Sequence, residues 1–177
     1  DVLRSDGVIV YPTDSVYAFG CSIRSPKAIE RLRALSGKQG DEFSIVCPDL
    51  STISAYARVD NAVFKVLKRN LPGPFTFVLN ASGKVPDKFL EKRKTVGVRI
   101  PDHEFCRRIL RGLGRPVVST SANISGEATP AGLAGVSREV VDGVDFVVNP
   151  RFEGKPTKKA SAIIAFGEGG EVKIIRE

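Results

Sequence analysis

Residues 94–118, KTVGVRIPDHEFCRRILRGLGRPVV, hold a strand, a helix and a second strand in one short stretch. Alternating apolar residues from Val96 to Ile100 indicate the first strand, which Pro101 ends. Asp102 starts the predicted helix. Its inward face carries Phe105, Cys106, Ile109, Leu110 and Leu113, and its outward face carries Arg107, Arg108 and Arg111. The second strand is 116–118, so the stretch predicts a helix packed against a sheet.

The same alternation continues on both sides of this stretch. Ser25 predicts a helix cap with Pro26 at the first helical position and Gly37 at the end, and Asp60 caps another helix. Further apolar runs predict strands at 8–11, 43–47, 75–79, 146–148, 162–166 and 172–175. This pattern predicts an α/β fold with a mixed sheet, and the lack of a linker-like segment predicts one domain over residues 1–177.

The composition fits one globular domain with a local excess of positive charge. The 177 residues are 42% hydrophobic and 27% charged, and no apolar run approaches the roughly 18 residues of a membrane span, so we expect no membrane partner. Of the net charge of +7, +6 falls within residues 84–115. Such a segment predicts an anionic partner, either nucleotide phosphates, nucleic acid or both; a solvated helix face with a loop would give the same pattern.

The cysteines and the single histidine exclude several kinds of site. Cys21, Cys47 and Cys106 are far apart and form no CxxC or Cys/His cluster, which argues against disulfides and protein-bound metal and predicts a cytoplasmic location. We expect each cysteine to be a small buried hydrophobe. His103 lies at a predicted helix start, where a capping or surface role is expected, so a Ser-His-Asp hydrolase is disfavoured.

Two polar clusters could bind a ligand. The cluster at 11–17, YPTDSVY, places hydroxyls around a Pro-fixed turn that could hold a small zwitterion, although the same residues are ordinary turn formers. The cluster at 119–126, STSANISG, follows a strand and could cradle an anion or simply satisfy its own backbone. The sequence has neither GxGxxG after a strand nor GxxxxGK[ST], so a bound nucleotide would need another kind of site.

The third cluster lies on the strand within 94–101. Strand alternation places Thr95, Gly97 and Arg99 on one face. A charge among apolar neighbours is costly unless paired, so Arg99 is expected to meet a carboxylate or a phosphate, with an internal ion pair as the structural alternative.

In this order, the clusters resemble the YrdC-like family. The matching pieces are YPTDSVYAFGC (11–21), NLPGPFTFVL (70–79), KTVGVRIPDH (94–103), STSANISG (119–126), ASAII (160–164) and IIRE (174–177). The resemblance runs from Val8 to the C-terminus and is closest to the YciO-like branch. It implies a three-layer α/β fold with a mixed, twisted open sheet flanked by helices, and threonylcarbamoyl-AMP synthase activity. That reaction takes L-threonine, bicarbonate and ATP with Mg²⁺, and makes the intermediate for threonylcarbamoyl-adenosine in tRNA.

The resemblance also implies roles for individual residues of this chain. The threonine site would comprise Thr13, Ser15, Arg99, Ser119 and Ser161. The nucleotide site would comprise Lys38, Thr95, Ser121, Asn123, Thr129 and Arg176. Lys38, Arg99, Ser121 and Asn123 would carry the catalytic roles, and no metal would be held by the protein itself. Alanine at Arg99 or Asn123 is expected to abolish ligand binding with little loss of fold.

One motif departs from the family pattern. The synthases carry a KxR pair after the first long helix, whereas residues 35–43 read LSGKQGDEF, with Lys38 as the one base. Lysine does not supply the planar fork of arginine, so the incomplete pair predicts a weakened nucleotidyltransferase.

Two alternatives therefore stay open. The chain could be a divergent YciO-like protein that binds double-stranded RNA or tRNA through residues 84–115, with other tRNA-modification proteins as possible partners. It could also keep the threonine site and the nucleotide site and act on the modified adenosine itself, for instance by hydrolysis.

Overall fold

The computed structural model describes residues 1–167 and 170–177, and its described strands form one nine-stranded sheet. The strands are β1 (Ile9–Tyr11), β2 (Ala18–Ser22), β3 (Ser44–Val46), β4 (Phe75–Asn80), β5 (Thr95–Arg99), β6 (Val117–Ser121), β7 (Phe146–Val147), β8 (Ala162–Phe166) and β9 (Val172–Arg176). Their order is β7-β1-β2-β6-β3-β5-β4-β8-β9. The pairs β1–β7, β3–β5 and β4–β8 are parallel and the other neighbours are antiparallel, which confirms the predicted mixed sheet.

Helices cover both faces of this sheet. They are α1 (Pro26–Ser36), α2 (Leu50–Tyr56), α3 (Asn61–Asn70), α4 (Asp87–Leu90), α5 (Glu104–Leu113) and α6 (Arg138–Gly143). One core joins the buried residues of α1, α2 and α3 to one face, and a second core joins Cys106, Leu110 and Leu113 of α5 to the other. The result is the expected three-layer α/β arrangement.

The helix ends predicted at Ser25, Gly37 and Asp60 are confirmed by their capping contacts, whereas α5 begins at Glu104 after His103 rather than at Asp102. The Ser25 hydroxyl accepts a hydrogen bond from the Ala28 amide at 3.0 Å, and Gly37 ends α1 in the left-handed conformation with φ of 66°. The Asp60 carboxylate accepts from the Val63 amide at 2.8 Å at the start of α3. These contacts satisfy amides and carbonyls that a helix leaves unpaired at its ends.

Two local expectations differ from the structure. Residues 18–22 form strand β2, which lies outside the predicted strands. A Cβ atom at residue 20 would lie 2.7 Å from the Tyr11 ring, so glycine is required there by close packing between β1 and β2. His103 is 7% exposed rather than at the surface and makes no side-chain cap; its Nε2 lies 2.7 Å from the Glu153 carbonyl oxygen.

The three cysteines are buried and unpaired, as expected for small hydrophobes. Burial raises the pKa of Cys21 and of Cys106 to about 12, and raises that of Cys47 as well. Thiols held in this protonated state are poor nucleophiles. Among the described residues, no helix has both the length and the apolar character needed to span a membrane.

Candidate functional site

A cleft of about 620 Å³ opens over one face of the sheet and collects the predicted site residues. It is lined by every one of them except Thr13: Ser15, Lys38, Thr95, Arg99, Ser119, Ser121, Asn123, Thr129, Ser161 and Arg176. Segments far apart in sequence therefore meet at one place.

Small residues in register form the floor of this cleft. Ser44 of β3 lies opposite both Gly97 of β5 and Ser119 of β6. A Cβ atom at Gly97 would lie 3.1 Å from the Thr76 side chain and 3.4 Å from that of Ser44. Thr95, Gly97 and Arg99 all line the cleft, which confirms that they share one face of β5.

Lys38 contributes a positive charge to the lining of the cleft. Its Nζ has four acceptors within hydrogen-bond distance of its three N–H groups: Thr120 Oγ1 (3.1 Å), the Ser121 carbonyl (2.7 Å), Ser121 Oγ (3.0 Å) and Asn123 Oδ1 (3.2 Å). The Ser121 hydroxyl also donates to Asn123 Oδ1 at 2.5 Å, and the Asn123 amide nitrogen donates to the Glu127 carbonyl at 3.1 Å. All these acceptors are neutral. Among the described residues, no ion pair within 4.0 Å includes Lys38.

Burial lowers the pKa of Lys38 from 10.5 to about 8, because the ammonium loses water without gaining a carboxylate partner. Nearby Glu42 and Glu127 oppose this shift only in part. Lys38 therefore loses its proton at about pH 8 rather than near pH 10.5, unless an anion binds beside it.

This pKa predicts opposite pH dependences for anion binding and for stability. Polyphosphate affinity should fall by up to about tenfold per pH unit above about pH 8, because the ammonium form is the binding form. The contribution of Lys38 to the free energy of unfolding should rise between about pH 8 and pH 10.5, where the unfolded chain holds the extra proton. Calorimetry at several pH values measures the affinity, and urea titration measures the free energy of unfolding. Both pH dependences should disappear in Lys38→Met. A pH dependence that persists in this variant would have to come from another titrating group.

Arg99 meets a carboxylate, as its position predicted, and this carboxylate belongs to the protein. Its Nη2 donates to Asp14 Oδ1 at 2.9 Å and to Ser15 Oγ at 3.1 Å. Asp14 Oδ2 in turn accepts from the Asp102 amide at 2.9 Å. Within the described part of the chain, Arg99 Nε is buried without a hydrogen-bond partner, which leaves an unused donor on a side chain that lines the cleft.

Thr13 supports the turn and does not line the cleft. Its hydroxyl donates to the Val16 carbonyl at 2.6 Å, accepts from the Ser15 amide and lies 3.1 Å from Ser15 Oγ. Thr13 therefore positions Ser15, which faces the cleft.

Other hydroxyls of the site are held by internal hydrogen bonds. Ser119 Oγ lies 2.8 Å from the Tyr11 hydroxyl and donates to the Phe19 carbonyl at 2.8 Å. Ser161 Oγ lies 2.7 Å from Thr76 Oγ1, and Arg176 Nη2 donates to the Ser161 carbonyl at 2.7 Å. The pKa of Arg176 is lowered by burial and by the charge of Arg99, so two cations flank this end of the cleft.

The structure places only part of the basic segment 84–115 at the cleft. Arg93 and Arg99 line the cleft, whereas Arg107 and Arg108 on α5 pair with Asp102 and Glu104. Arg93, Ser44 and Thr76 also line the cleft and were not among the predicted site residues. The alternation of β3 and β4 could have indicated Ser44 and Thr76, but the position of Arg93 depends on the turn that follows α4.

Among residues 1–167 and 170–177, no group of three or more His, Cys, Asp and Glu side chains is arranged to hold a metal ion. Three acidic residues, Asp41, Glu42 and Glu127, nevertheless line the cleft beside the cations.

Comparison with known proteins gives consistent matches. The Sua5/YciO/YrdC family model, described as telomere recombination, matches residues 1–177. The chain is 40% identical to the uncharacterized protein YciO of Escherichia coli K12 over 161 residues, covering 89% of this chain and 78% of that protein. It is 34% identical to a threonylcarbamoyl-AMP synthase of Thiobacillus denitrificans over 182 residues, covering 98% of this chain and 90% of that protein.

Two solved structures superpose on nearly the whole chain. The crystal structure of E. coli YciO has a TM-score of 0.88 at 35% identity and covers 99% of this chain and 85% of that one. Sua5 of P. abyssi complexed with L-threonine has a TM-score of 0.88 at 25% identity and covers 99% of this chain and 51% of that one.

Proposed function

The chain belongs to the Sua5/YciO/YrdC family, and on this premise we propose that it is a cytoplasmic nucleotidyltransferase of the threonylcarbamoyl-AMP synthase type. The observation that carries the proposal is the cleft itself, where the Ser-x-Asn loop, the Lys38 ammonium and the Arg99–Asp14 pair converge. The relatives named as synthases and the threonine complex of Sua5 support it further.

The proposed reaction joins three substrates in two bond-forming steps. The threonine amine attacks the carbon of bicarbonate and water leaves, which gives a carbamate. A carbamate oxygen then attacks the α-phosphorus of ATP and pyrophosphate leaves, which gives threonylcarbamoyl-AMP. Neither step needs a protein nucleophile, so positioning and cationic stabilisation of the phosphates are the main demands on the site.

The hydrogen bonds support a division of the cleft lining into two groups. Ser15 is bonded to Arg99 and Ser161 to Arg176, and with Ser119 these residues would offer hydroxyls and guanidinium groups to threonine. Lys38, Ser121 and Asn123 form the second hydrogen-bonded group, where the ammonium would exchange neutral acceptors for phosphate oxygens. Thr95 and Thr129 line the same cleft and would contact the nucleotide, and Arg176 would approach its phosphates. Mg²⁺ would enter with ATP.

The proposal is tested by pyrophosphate release from Mg-ATP. Release that requires L-threonine and bicarbonate together is the expected result, because the α-phosphorus is attacked only once the carbamate has formed. Release from ATP alone or with one co-substrate would mean a different reaction. No release despite ATP binding would overturn the synthase activity and favour the divergent YciO-like alternatives.

The RNA-binding alternative has a separate signature. Affinity for double-stranded RNA or tRNA should fall steeply with salt in proportion to the phosphates neutralised. The division of residues 84–115 between the cleft and ion-paired positions on α5 gives this alternative less support than the cleft gives the synthase.

A further inference from the structure

Gly40 leaves a space beside Lys38 that the Arg93 side chain fills. A Cβ atom built on Gly40 would lie 2.9 Å from Arg93 Nε, 3.2 Å from Cζ and 3.3 Å from Nη2. Gly40 starts a short 3-10 turn, Gly40–Glu42, two residues after Lys38. Both Lys38 and Arg93 line the same cleft. A guanidinium from a distant part of the chain thus lies against the backbone of the segment where the KxR motif is incomplete.

The Arg93 guanidinium is fixed in place by carbonyl groups. Its Nε donates to the Leu90 carbonyl at 3.2 Å and its Nη2 to the Phe89 carbonyl at 2.9 Å, at the end of α4. It also lies 5.3 Å from the centre of the Phe89 ring. These contacts orient the planar group before any ligand arrives.

The charge of Arg93 is not neutralised by the protein. Among the described residues, no ion pair within 4.0 Å includes it. The Phe89 carbonyl also accepts from Arg33 Nη2 at 2.7 Å, so two guanidinium groups share one acceptor, while Glu91 pairs with Arg33 at 3.5 Å. The pKa of Arg93 is lowered by burial and by the charge of Arg33, and the nearby carboxylates of Asp41 and Glu91 oppose this shift only in part. A partly desolvated guanidinium that lines the cleft without an ion-pair partner among the described residues favours an anion there.

We propose that Arg93 is a binding residue for the polyphosphate chain of the nucleotide and that it acts together with Lys38. The inference deepens the proposed function and rests on it for the identity of the nucleotide. Arg93 would supply the planar fork that lysine lacks. The second cation of the site would then come from the segment after α4 rather than from the segment of Lys38.

The test compares ligands with and without a polyphosphate chain and with and without a nucleoside. Calorimetry would measure ATP, inorganic tripolyphosphate and AMP binding to the wild-type chain and to Arg93→Gln. We expect ATP and tripolyphosphate to bind about 10- to 100-fold more weakly to the variant, since a charged hydrogen-bonding group is lost, and AMP to bind within about twofold of wild type. Lys92→Gln, an exposed neighbour with the same charge change, is the matched control and should bind all three normally.

A second variant probes the same site without changing its charge. Gly40→Ala places a methyl group against the guanidinium and should weaken tripolyphosphate binding in the same direction. Gly83→Ala is its control, because a Cβ atom there has no neighbour within 4 Å.

The outcomes separate this proposal from the synthase proposal. If Arg93→Gln binds ATP as tightly as the wild-type chain, or loses AMP and ATP binding equally, the proposed role of Arg93 is overturned. This holds even if the wild-type chain releases pyrophosphate in the presence of L-threonine and bicarbonate. Failure of the wild-type chain to bind tripolyphosphate would overturn it as well. Arg93-dependent tripolyphosphate binding without threonine-dependent pyrophosphate release would support the phosphate site and overturn the synthase activity.

Discussion

Replacement of Arg99 by alanine is expected to lower the free energy of unfolding by about 3–5 kcal/mol, the usual cost of breaking a buried ion pair by removing one partner. Arg99 and Asp14 are each 7% exposed and lie 2.9 Å apart. Without the guanidinium, the Asp14 carboxylate would keep only the Asp102 amide as its hydrogen-bond donor in the described structure. The loss of fold should therefore exceed what the sequence alone predicts for this variant.

Urea titration of three variants separates the stability role of Arg99 from its ligand-binding role. Asp14→Leu leaves Arg99 unpaired and should lower the free energy of unfolding by a similar amount. The double variant Arg99→Met with Asp14→Leu removes both charges and should recover most of the stability. The folded double variant should still fail to bind L-threonine. Threonine binding at wild-type affinity in that variant would show that Arg99 is purely structural, and additive losses would show that the pair is not coupled.

Local patterns in the sequence predicted most of the fold for clear physical reasons. The alternation from Val96 to Ile100 is a property of neighbouring residues, and the caps at Ser25 and Asp60 are contacts across three residues. Strand β2 was missed because its glycine looks like a loop residue until Tyr11 is known to pack against it. His103 lies at a helix start, as predicted, but its burial was not predicted because its partner, the Glu153 carbonyl, is 50 residues away in the chain.

In the candidate site too, residues on or next to strands could be predicted from neighbouring residues, whereas contacts between distant segments could not. Thr95, Ser121 and Asn123 follow or lie on strands whose ends are visible in sequence, and the structure brings them into one cleft. The sequence left open whether Arg99 meets a ligand or forms an internal ion pair. Strand alternation could not identify Asp14 as its partner, because the two residues are far apart in the chain. Arg93 could not be predicted, since its approach to Gly40 depends on the turn that ends α4 at Glu91, where φ is 57°.

Replacement of Lys38 by methionine is expected to reduce threonine-dependent pyrophosphate release by about 10²- to 10³-fold, comparable to the loss of one preorganised group that stabilises transition-state charge. Methionine fills a similar space but carries no charge for the phosphates. The fold should be unharmed or slightly more stable, because a buried ammonium with neutral partners is replaced by an apolar chain. The Ser121–Asn123 and Thr120–Glu42 hydrogen bonds do not involve Lys38 and would hold the loop.

Steady-state kinetics with urea titration would measure both expectations for Lys38→Met. Lys27→Met, an exposed change of the same kind on α1, is the matched control and should leave both quantities unchanged. Lower activity together with equal or higher stability would mean that the fold tolerates a costly buried cation because the reaction requires it. Normal turnover in Lys38→Met would contradict a phosphate role for Lys38. A large loss of stability would instead assign the ammonium to holding the Ser-x-Asn loop, and the activity loss would then follow from the fold.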